Sequence, residues 1–179
     1  MDCAVDLRVA RTEQLASGEI EGLRRLLDDA FGGSFSHEDW RHTVGGLHVF
    51  VADDGIVAHA AVVERLLIAG DRPLRTGYVE GVASAEPRRR RGLGSAAMRE
   101  ASRIIQEDFE LGALSTGVPS FFSRLGWEPW KGPTYANLPS GRVRTADEDD
   151  GIMVLRTPLT RDLDAAAPLT CDWRRGDVW

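Results

Sequence analysis

The N-terminal part of the chain changes from strand-like to helix-like spacing of its hydrophobic residues. Residues 5–10 alternate apolar and polar side chains with the period of a half-buried strand. Residues 19–31 instead place apolar side chains three and four positions apart, which is the spacing of one helix face. Residues 36–42 begin with Ser36 followed by Asp39, which resembles a capping box and predicts a second, short helix.

Three runs rich in β-forming residues follow these helices. They cover residues 47–53, 56–68 and 74–84. Asp53-Asp54-Gly55 joins the first two runs with the Asp-Gly chemistry of a hairpin turn, and residues 70–73 form a second turn. We therefore predict an antiparallel meander of three strands.

Helices and strands alternate after the meander. Apolar residues recur at three- and four-residue steps from Leu93 to Ile105, which predicts a helix of about four turns. Residues 109–115 then predict a strand, residues 121–125 a short helix and residues 126–130 another strand. This strand–helix–strand order predicts parallel pairing in that part of the sheet.

The C-terminal part is predicted to contain a loop, a short strand and a docked tail. Residues 132–150 are rich in proline, glycine and charge, which favours a surface loop, and residues 152–155 resume a strand. The tail, residues 171–179, carries two tryptophans, which frayed termini seldom do. We expect the tail to pack onto the domain.

The composition favours one compact domain and excludes several classes of protein. The 179 residues, 42% of them hydrophobic, suffice for a single domain over residues 1–179 that needs no disulfide or metal. A net charge of −6 with one short basic stretch disfavours nucleic acid as a partner. No signal peptide or membrane span is apparent, so we expect no membrane partner and a cytoplasmic location. Cys3 and Cys171 are interpreted as ordinary thiols.

A glycine-containing turn rich in arginine lies between a predicted strand and the following helix. Its sequence is Arg89-Arg90-Arg91-Gly92-Leu93-Gly94. Because glycine lacks a side chain, backbone N–H groups and the positive end of a helix can approach a phosphate closely. The motif lacks both the lysine–hydroxyl pair of nucleotide triphosphatases and the GxGxxG spacing of dinucleotide-binding proteins. It is typical of a pyrophosphate site, and a solvated turn is the alternative.

The R-x-x-G-x-G spacing at Arg89, Gly92 and Gly94, with this order of elements, resembles the GCN5-related N-acetyltransferases (GNAT). Longer segments are similar to one branch of the family, the aminoglycoside 2'-N-acetyltransferases: residues 45–48, 58–62, 77–83, 111–115, 126–130 and 171–179. The resemblance covers nearly the whole chain, and the terminal segment is its most specific part. It implies an α/β (α+β) GNAT fold, with a mixed central β-sheet flanked by helices.

The resemblance also implies a binding mode for acetyl-CoA and a set of catalytic groups. The backbone of Val82, Ala83 and Ser84 would bind the pantetheine arm as another strand would. The phosphate-binding turn would supply Arg89, Arg90, Arg91, Gly92, Leu93 and Gly94. Glu80 is the candidate base, acting through water, and N–H groups near Val82 would stabilise charge on the thioester carbonyl. Acetyl transfer is expected to be direct, because neither cysteine has an evident base.

Polar and acidic residues are implied to contact the aminoglycoside, which carries several ammonium groups. The matching residues are Glu80, Gly81, Ser115, Asp149, Asp150, Asp177 and the C-terminal carboxylate of Trp179, and Ser34 stands at a further substrate-binding position with a different residue. Asp149 and Asp150 would equally solvate a loop, and Asp177 and Trp179 would equally pin the tail. Glu80 differs from these residues, because an unpaired charge in an apolar strand is costly. A functional partner is therefore the favoured interpretation for Glu80.

Four further residues qualify this assignment. Phe122 stands where the family has a tyrosine suited to protonating the thiolate, so the general acid is unassigned and water is the available donor. Ser34 stands where the family has an aspartate, which leads to the hypothesis of a narrowed substrate such as kasugamycin. His48 and His59 lie in predicted strands and are interpreted as packing or hydrogen-bonding groups.

The predicted function is direct transfer of acetyl from acetyl-CoA to the 2'-amino group of an aminoglycoside, with antibiotic resistance as its consequence. The family further implies a homodimer. Two alternatives stay open: an acetyltransferase acting on a polyamine or a protein N-terminus, and an inactive module that binds acetyl-CoA or the drug. Product analysis identifies the first, and binding without release of CoA identifies the second.

Overall fold

The computed structural model describes residues 6–86 and 92–179. The helices are α1 (Ser17–Ala30), α2 (His37–Thr43), α3 (Leu93–Asp108) and α4 (Pro119–Ser123). The strands are β1 (Asp6–Arg11), β2 (Leu47–Ala52), β3 (Ile56–Ala69), β4 (Arg72–Ser84), β5 (Leu111–Ser115), β6 (Glu128–Pro129), β7 (Thr134–Leu138), β8 (Gly141–Arg144), β9 (Ile152–Arg156) and β10 (Leu169–Asp172). Cys3 and Arg89, Arg90 and Arg91 lie outside the described residues.

The described residues form two compact units. Unit 1 contains the residues up to Val63 together with Val79–Ala101, and unit 2 contains Glu64–Tyr78 and Ser102–Trp179. Strands β3 and β4 and helix α3 each contribute residues to both units.

Unit 1 is built on antiparallel strands covered by α1 and α2. Strand β2 pairs antiparallel with β1 and with β3. The apolar face of α1 supplies Leu23, Leu26 and Leu27 to a core that also contains Trp40 and Phe50. Leu23 and Leu27 are fully buried, and each contributes roughly 2 kcal/mol of hydrophobic stabilisation.

The capping box and the hairpin turn that the sequence predicts in unit 1 are both confirmed. The Ser36 hydroxyl accepts from the Asp39 N–H at 3.1 Å, and the Asp39 carboxylate accepts from the Ser36 N–H at 2.7 Å. This capping box starts α2 as predicted. Asp54 and Gly55 have φ values of 52° and 108°, the left-handed backbone that the Asp-Gly turn between β2 and β3 requires.

Unit 2 contains the predicted mixed sheet. Its strands follow the order β6-β9-β5-β4-β3-β10-β7-β8. The pairs β4–β5 and β10–β7 are parallel, whereas β5–β9, β6–β9, β7–β8 and β10–β3 are antiparallel. Parallel pairing therefore joins β4 to β5. The sequence pattern predicts parallel pairing between β5 and β6 instead. That prediction is wrong, because both strands pair with β9, which lies between them.

Two glycines that face each other across β4 and β5 let the end of α3 pack closely on this sheet. Gly77 and Gly112 are register partners. A Cβ on Gly77 would lie 2.7 Å from Ile105, and one on Gly112 would lie 2.9 Å from Leu155. Larger residues at either position would force α3 or β9 away from the sheet.

The prediction of a surface loop over residues 132–150 is wrong. Strands β7 and β8 form an antiparallel hairpin in this segment, and the other edge of β7 pairs in parallel with β10. The stabilising partner of β7 is therefore β10, which lies more than thirty residues further along the chain. A local count of proline, glycine and charge does not detect such a partner, because strand formation depends on non-local pairing.

Candidate active site

The centre of β4 contains a local irregularity at the predicted catalytic residues. Gly81 has a φ of 58°, a left-handed conformation that glycine adopts without steric cost. The buried–exposed alternation of the strand ends at Thr76, and Glu80, Gly81 and Val82 are all half-buried. A residue in this conformation within a strand changes the directions of the neighbouring side chains and peptide groups, as a β-bulge does.

The part of β4 that follows Tyr78 lies beyond its pairing with β5. That parallel pairing covers Thr76, Gly77 and Tyr78. The predicted pantetheine-binding residues Val82, Ala83 and Ser84 come after this segment. Ala83 is buried in the core of unit 1, whereas the other two are half-buried.

The described part of the predicted phosphate-binding turn leads directly into α3. Gly92 has a φ of 77°, and a Cβ there would meet nothing within 4 Å. Its carbonyl accepts from the Ala96 N–H in the first turn of α3. Leu93 and Gly94 therefore stand at the N-terminus of a 16-residue helix, where backbone N–H groups and the helix dipole favour an anion.

A cleft of about 620 Å³ opens in unit 1 beside the end of β4. Its walls are the glycine-bearing face of α1, the Asp54-Gly55 turn and Ser84–Glu86. Ser84 is the predicted site residue that lines it, whereas Glu80 and Val82 do not. The cleft therefore adjoins the predicted cofactor segment and is distinct from the predicted catalytic centre.

In unit 2, two of the predicted substrate-binding residues, Ser115 and Asp177, interact with the acidic side chain of Glu148. The Ser115 hydroxyl donates to the Glu148 carboxylate at 3.3 Å. Burial raises the pKa of Glu148 above its ordinary value, and the negative charge of Asp177 raises it further. We call these three residues the acidic cluster, in which Glu148 and Asp177 supply the two carboxylates and Ser115 a hydroxyl. Glu148 is not among the predicted site residues, although it directly precedes Asp149 and Asp150 in the sequence.

Asp149 has several hydrogen-bond donors of its own within unit 2. Its Oδ1 accepts from Arg144 Nη1 at 2.7 Å, from the Thr134 hydroxyl at 2.8 Å and from the Thr134 N–H at 2.9 Å. Its Oδ2 accepts from Arg144 Nη2. The Arg144 guanidinium holds the pKa of Asp149 far below its ordinary value. Asp149 thus ties the β7–β8 hairpin to the following turn, whereas Asp150 is exposed.

The tail is held in unit 2 by its last residues as well as by β10. The Trp179 indole is 2% exposed and donates to the Thr145 hydroxyl at 2.9 Å. A terminal oxygen of Trp179 accepts from Arg174 at 2.8 Å, and the Trp179 N–H donates to Asp177 at 3.2 Å. These hydrogen bonds hold the last residues against unit 2. These contacts also give Asp177 and Trp179 a structural role in pinning the tail.

The two departures from the family pattern have ordinary local environments. The Ser34 hydroxyl donates to the Phe31 carbonyl at 2.6 Å at the end of α1. Phe122 is buried and packs edge-on against Trp127, with ring centroids 6.5 Å apart. Neither side chain supplies an acidic proton or a negative charge.

Cys171 has the properties of a buried structural thiol. Its side chain is fully buried and donates to the Val178 carbonyl at 3.4 Å. Burial raises the pKa of the thiol to about 11, so the nucleophilic thiolate is scarce near neutral pH. Within residues 6–86 and 92–179, no cluster of His, Cys, Asp and Glu is arranged to hold a metal ion. No helix in the same ranges is both long and apolar enough to cross a membrane.

Comparisons with known proteins agree on one family. A family model described as "Acetyltransferase (GNAT) domain" matches residues 11–130. An aminoglycoside 2'-N-acetyltransferase of Mycolicibacterium fortuitum is 44% identical over 178 residues, which cover 96% of this chain and 91% of that protein.

Two solved structures show the same fold. A GNAT family N-acetyltransferase (YhbS) of Escherichia coli, in complex with CoA, has a TM-score of 0.66 and 17% identity, covering 95% of this chain and 89% of that chain. A GCN5-related N-acetyltransferase of Kribbella flavida has a TM-score of 0.57 and 26% identity over 72% of this chain. This chain spans 35% of the length of the Kribbella protein.

Proposed function

This chain belongs to the GCN5-related N-acetyltransferase family and is an acetyl-CoA-dependent N-acetyltransferase, and from that premise we propose that its acceptor is the 2'-amino group of an aminoglycoside. The observation that carries this proposal is the similarity, over nearly its whole length, to a protein named for that reaction. The acidic cluster of unit 2 supports it, because its two carboxylates suit an acceptor with several ammonium groups.

The chain has suitable groups for holding acetyl-CoA, which supplies an acetyl group activated as a thioester. Backbone groups of Val82, Ala83 and Ser84 lie on the part of β4 beyond its pairing with β5 and would bind the pantetheine amides. The N-terminus of α3 at Gly92, Leu93 and Gly94 would bind the pyrophosphate. The proposal adds Arg89, Arg90 and Arg91 as cationic partners of the phosphates.

Glu80 is proposed as the general base. An ammonium has no lone pair, so the acceptor must lose a proton before it can attack the thioester. Glu80 is half-buried and lies directly before the left-handed Gly81, which sets the direction of the strand at this point. The Val82 N–H on the other side of Gly81 is proposed to stabilise the negative charge that develops on the carbonyl oxygen.

The acetyl group is proposed to pass directly to the amine, without an acylated enzyme. The raised pKa and full burial of Cys171 are unsuited to nucleophilic catalysis. Phe122 has no proton to give to the departing thiolate, so water is the proposed acid.

The acidic cluster is proposed to bind the ammonium groups of the acceptor. Repulsion between Glu148 and Asp177 raises the free energy of the empty cluster, and a bound cation would relieve it. Trp179 is proposed to contribute with its tail docked at the substrate site. Asp149, already bound to Arg144, is expected to contribute less than Glu148.

Removing one charge of this cluster is expected to weaken acceptor binding. In Glu148→Gln the KM for the aminoglycoside should rise about tenfold, because one charge-assisted hydrogen bond is lost. The acetyl-CoA KM should not change. The matched control is Glu107→Gln, which removes an exposed carboxylate paired with Arg103 in the same unit and should leave both KM values unaltered. An unchanged aminoglycoside KM in Glu148→Gln would remove Glu148 from the binding site.

We further propose that the acceptor range is narrowed toward compounds with few amino groups, such as kasugamycin. The position that carries an aspartate in the family is Ser34 here, and its hydroxyl is bonded to the Phe31 carbonyl. One cation contact would therefore be missing, which matters most for acceptors that carry many ammonium groups.

The decisive assay measures free-thiol release from acetyl-CoA with kasugamycin, with gentamicin and tobramycin, and with matched 2'-hydroxy compounds. Turnover of the 2'-amino compounds but not of their 2'-hydroxy counterparts is expected, with kasugamycin the preferred acceptor. Turnover of gentamicin or tobramycin without kasugamycin would refute the narrowing alone. Silence with the whole panel would contradict the proposed function and favour a polyamine, a protein N-terminus or an inert binding module.

Antibiotic resistance is the physiological role that we propose for this reaction. Acetylation removes a positive charge from the drug and thereby weakens its charge-assisted contacts with any anionic target. Expression in a susceptible host should raise the inhibitory concentration of the compounds that the purified protein acetylates, and Glu80→Gln should abolish that protection.

A further inference from the structure

A chain of hydrogen bonds in unit 1 ends on the carbonyl of the left-handed glycine in β4. The Thr12 hydroxyl lies 2.9 Å from His48 Nε2, and His48 Nδ1 lies 3.0 Å from His59 Nε2. His59 Nδ1 in turn lies 2.7 Å from the Gly81 carbonyl oxygen. Both imidazoles are fully buried. The side chains of β2 and β3 thus connect the start of unit 1 to the backbone between Glu80 and Val82.

The direction of every bond in this chain follows from the group at its end. A carbonyl only accepts, so His59 Nδ1 must carry a proton and donate to Gly81. Burial lowers the pKa of His59 to about 3, so this ring is neutral and its Nε2 is an acceptor for the N–H of His48. Burial also lowers the pKa of His48 to about 4, so its Nε2 accepts from the Thr12 hydroxyl. The Gly45 N–H completes the chain by donating to the Thr12 oxygen at 3.0 Å.

We propose that His59 is a positioning residue of the acetyltransferase site, which holds the Gly81 carbonyl through its Nδ1–H and thereby sets the directions of Glu80 and of the Val82 N–H. This inference rests on the proposed function of those two residues. His48 and Thr12 support it by fixing the tautomer of His59. Each ring N–H already donates within the network. The His59 ring therefore cannot rotate by 180° about its Cβ–Cγ bond without breaking two hydrogen bonds.

The packing around Gly81 explains why a hydrogen bond from a side chain is needed there. A Cβ on Gly81 would lie 3.3 Å from Leu27 and 3.5 Å from the His59 ring, so α1 and β3 both press against the bulge. Because glycine is the residue with the most backbone freedom, a left-handed glycine does not keep one peptide orientation without an external constraint. The His59 N–H supplies that constraint, and the imidazole is kept rigid by its own neighbours.

Two amide substitutions separate this role from simple packing. Asparagine can place its amide nitrogen as many bonds from Cβ as Nδ1 of histidine, so His59→Asn keeps a donor for Gly81 and loses the contact with His48. Glutamine matches the Nε2 position, so His59→Gln keeps the contact with His48 and loses the donor for Gly81. If the imidazole only filled the core or bound His48, His59→Gln would be the better tolerated variant.

We expect the opposite order, with His59→Asn better tolerated than His59→Gln. The measurements are kcat and the affinity for acetyl-CoA of the folded variants. We expect kcat of His59→Gln to fall about thirtyfold and that of His59→Asn to stay within about threefold of wild type, with acetyl-CoA affinity unchanged in both. The ¹³C shift of the Gly81 carbonyl should move in His59→Gln and stay near its wild-type value in His59→Asn. Equal kcat values, or a higher kcat for His59→Gln, would overturn the inference.

The outcome for wild-type protein separates this inference from the proposed function. If wild type acetylates an aminoglycoside and the two variants do not follow the expected order, the positioning role alone fails. If wild type acetylates no amine, both fail together. Should the His59 variants not fold, Thr12→Val removes the hydroxyl that fixes the His48 tautomer with almost no change in shape. Its kcat should fall about threefold at unchanged acetyl-CoA affinity, and an unchanged kcat would overturn the inference.

Discussion

Glu80→Gln is expected to lower kcat for the aminoglycoside about 100-fold while leaving acetyl-CoA affinity unchanged. Glutamine keeps the size and shape of the side chain but cannot take a proton from the acceptor. The affinity for acetyl-CoA should be kept, because the proposed cofactor contacts come from the backbone of Val82–Ser84 and from the N-terminus of α3. Steady-state kinetics together with calorimetric titration of acetyl-CoA would measure both quantities.

The pH dependence of this variant distinguishes a base from a binding group. If Glu80 is the base, raising the pH should partly restore kcat, because more of the acceptor is then already deprotonated. Glu64→Gln is the matched control, since Glu64 is an exposed carboxylate that pairs with Arg75. It should behave as wild type. Wild-type turnover of Glu80→Gln across the pH range would eliminate Glu80 as the base.

Elements that depend on neighbouring residues could be predicted from the sequence. The capping box of Ser36 and Asp39 is a local exchange of two hydrogen bonds, and it starts a helix wherever it forms. The Asp54-Gly55 turn is equally local, because it needs residues that tolerate a positive φ. The long helices α1 and α3 follow directly from the spacing of their apolar residues.

Features that depend on distant partners could not be predicted in this way. Strand β7 forms because β10 pairs with one of its edges, and no pattern within residues 132–150 predicts that pairing. Asp149 and Glu148 are neighbouring acids that look alike in the sequence. Asp149 is hydrogen-bonded to Arg144 and Thr134, whereas Glu148 accepts from Ser115 and is repelled by Asp177. The different surroundings of the two acids therefore depend on contacts that the sequence does not show.

His48 and His59 have one property that the sequence predicts and one that it does not. His48 and His59 were interpreted as packing or hydrogen-bonding residues, and their complete burial and mutual hydrogen bond confirm this. Two histidines within otherwise apolar strands were the available signal. Their common end point at the Gly81 carbonyl depends on the register of β2 and β3 and on the left-handed turn in β4.

The same pair is expected to make the protein sensitive to mild acid. Burial lowers the pKa of His48 to about 4 and that of His59 to about 3, whereas both titrate near 6.5 in the unfolded chain. Below about pH 6.5 the unfolded state therefore binds protons that the folded state does not, so stability is complete above this pH and is lost as the pH falls.

The expected loss is large relative to the stability of an ordinary domain. Each imidazole approaches a slope of about 1.4 kcal/mol per pH unit below its unfolded pKa, so the pair removes roughly 3 kcal/mol between pH about 6.5 and about 5. Domains have a total stability of about 5–15 kcal/mol. The low pKa of Asp149 acts in a lower window, because its contribution is lost only as the pH falls below its ordinary value of 3.8. Glu148, with a raised pKa, acts in the opposite direction.

Urea unfolding followed by tryptophan fluorescence at pH about 7.5 and about 5 would measure this loss as a shift of the midpoint. His37→Gln is the matched control, because His37 is exposed at the start of α2, and it should keep the full shift. The double variant His48→Gln with His59→Asn should be less stable at neutral pH but should lose much less stability on acidification, since neither amide titrates. Equal acid shifts in wild type and in the double variant would assign the acid sensitivity to groups other than this pair.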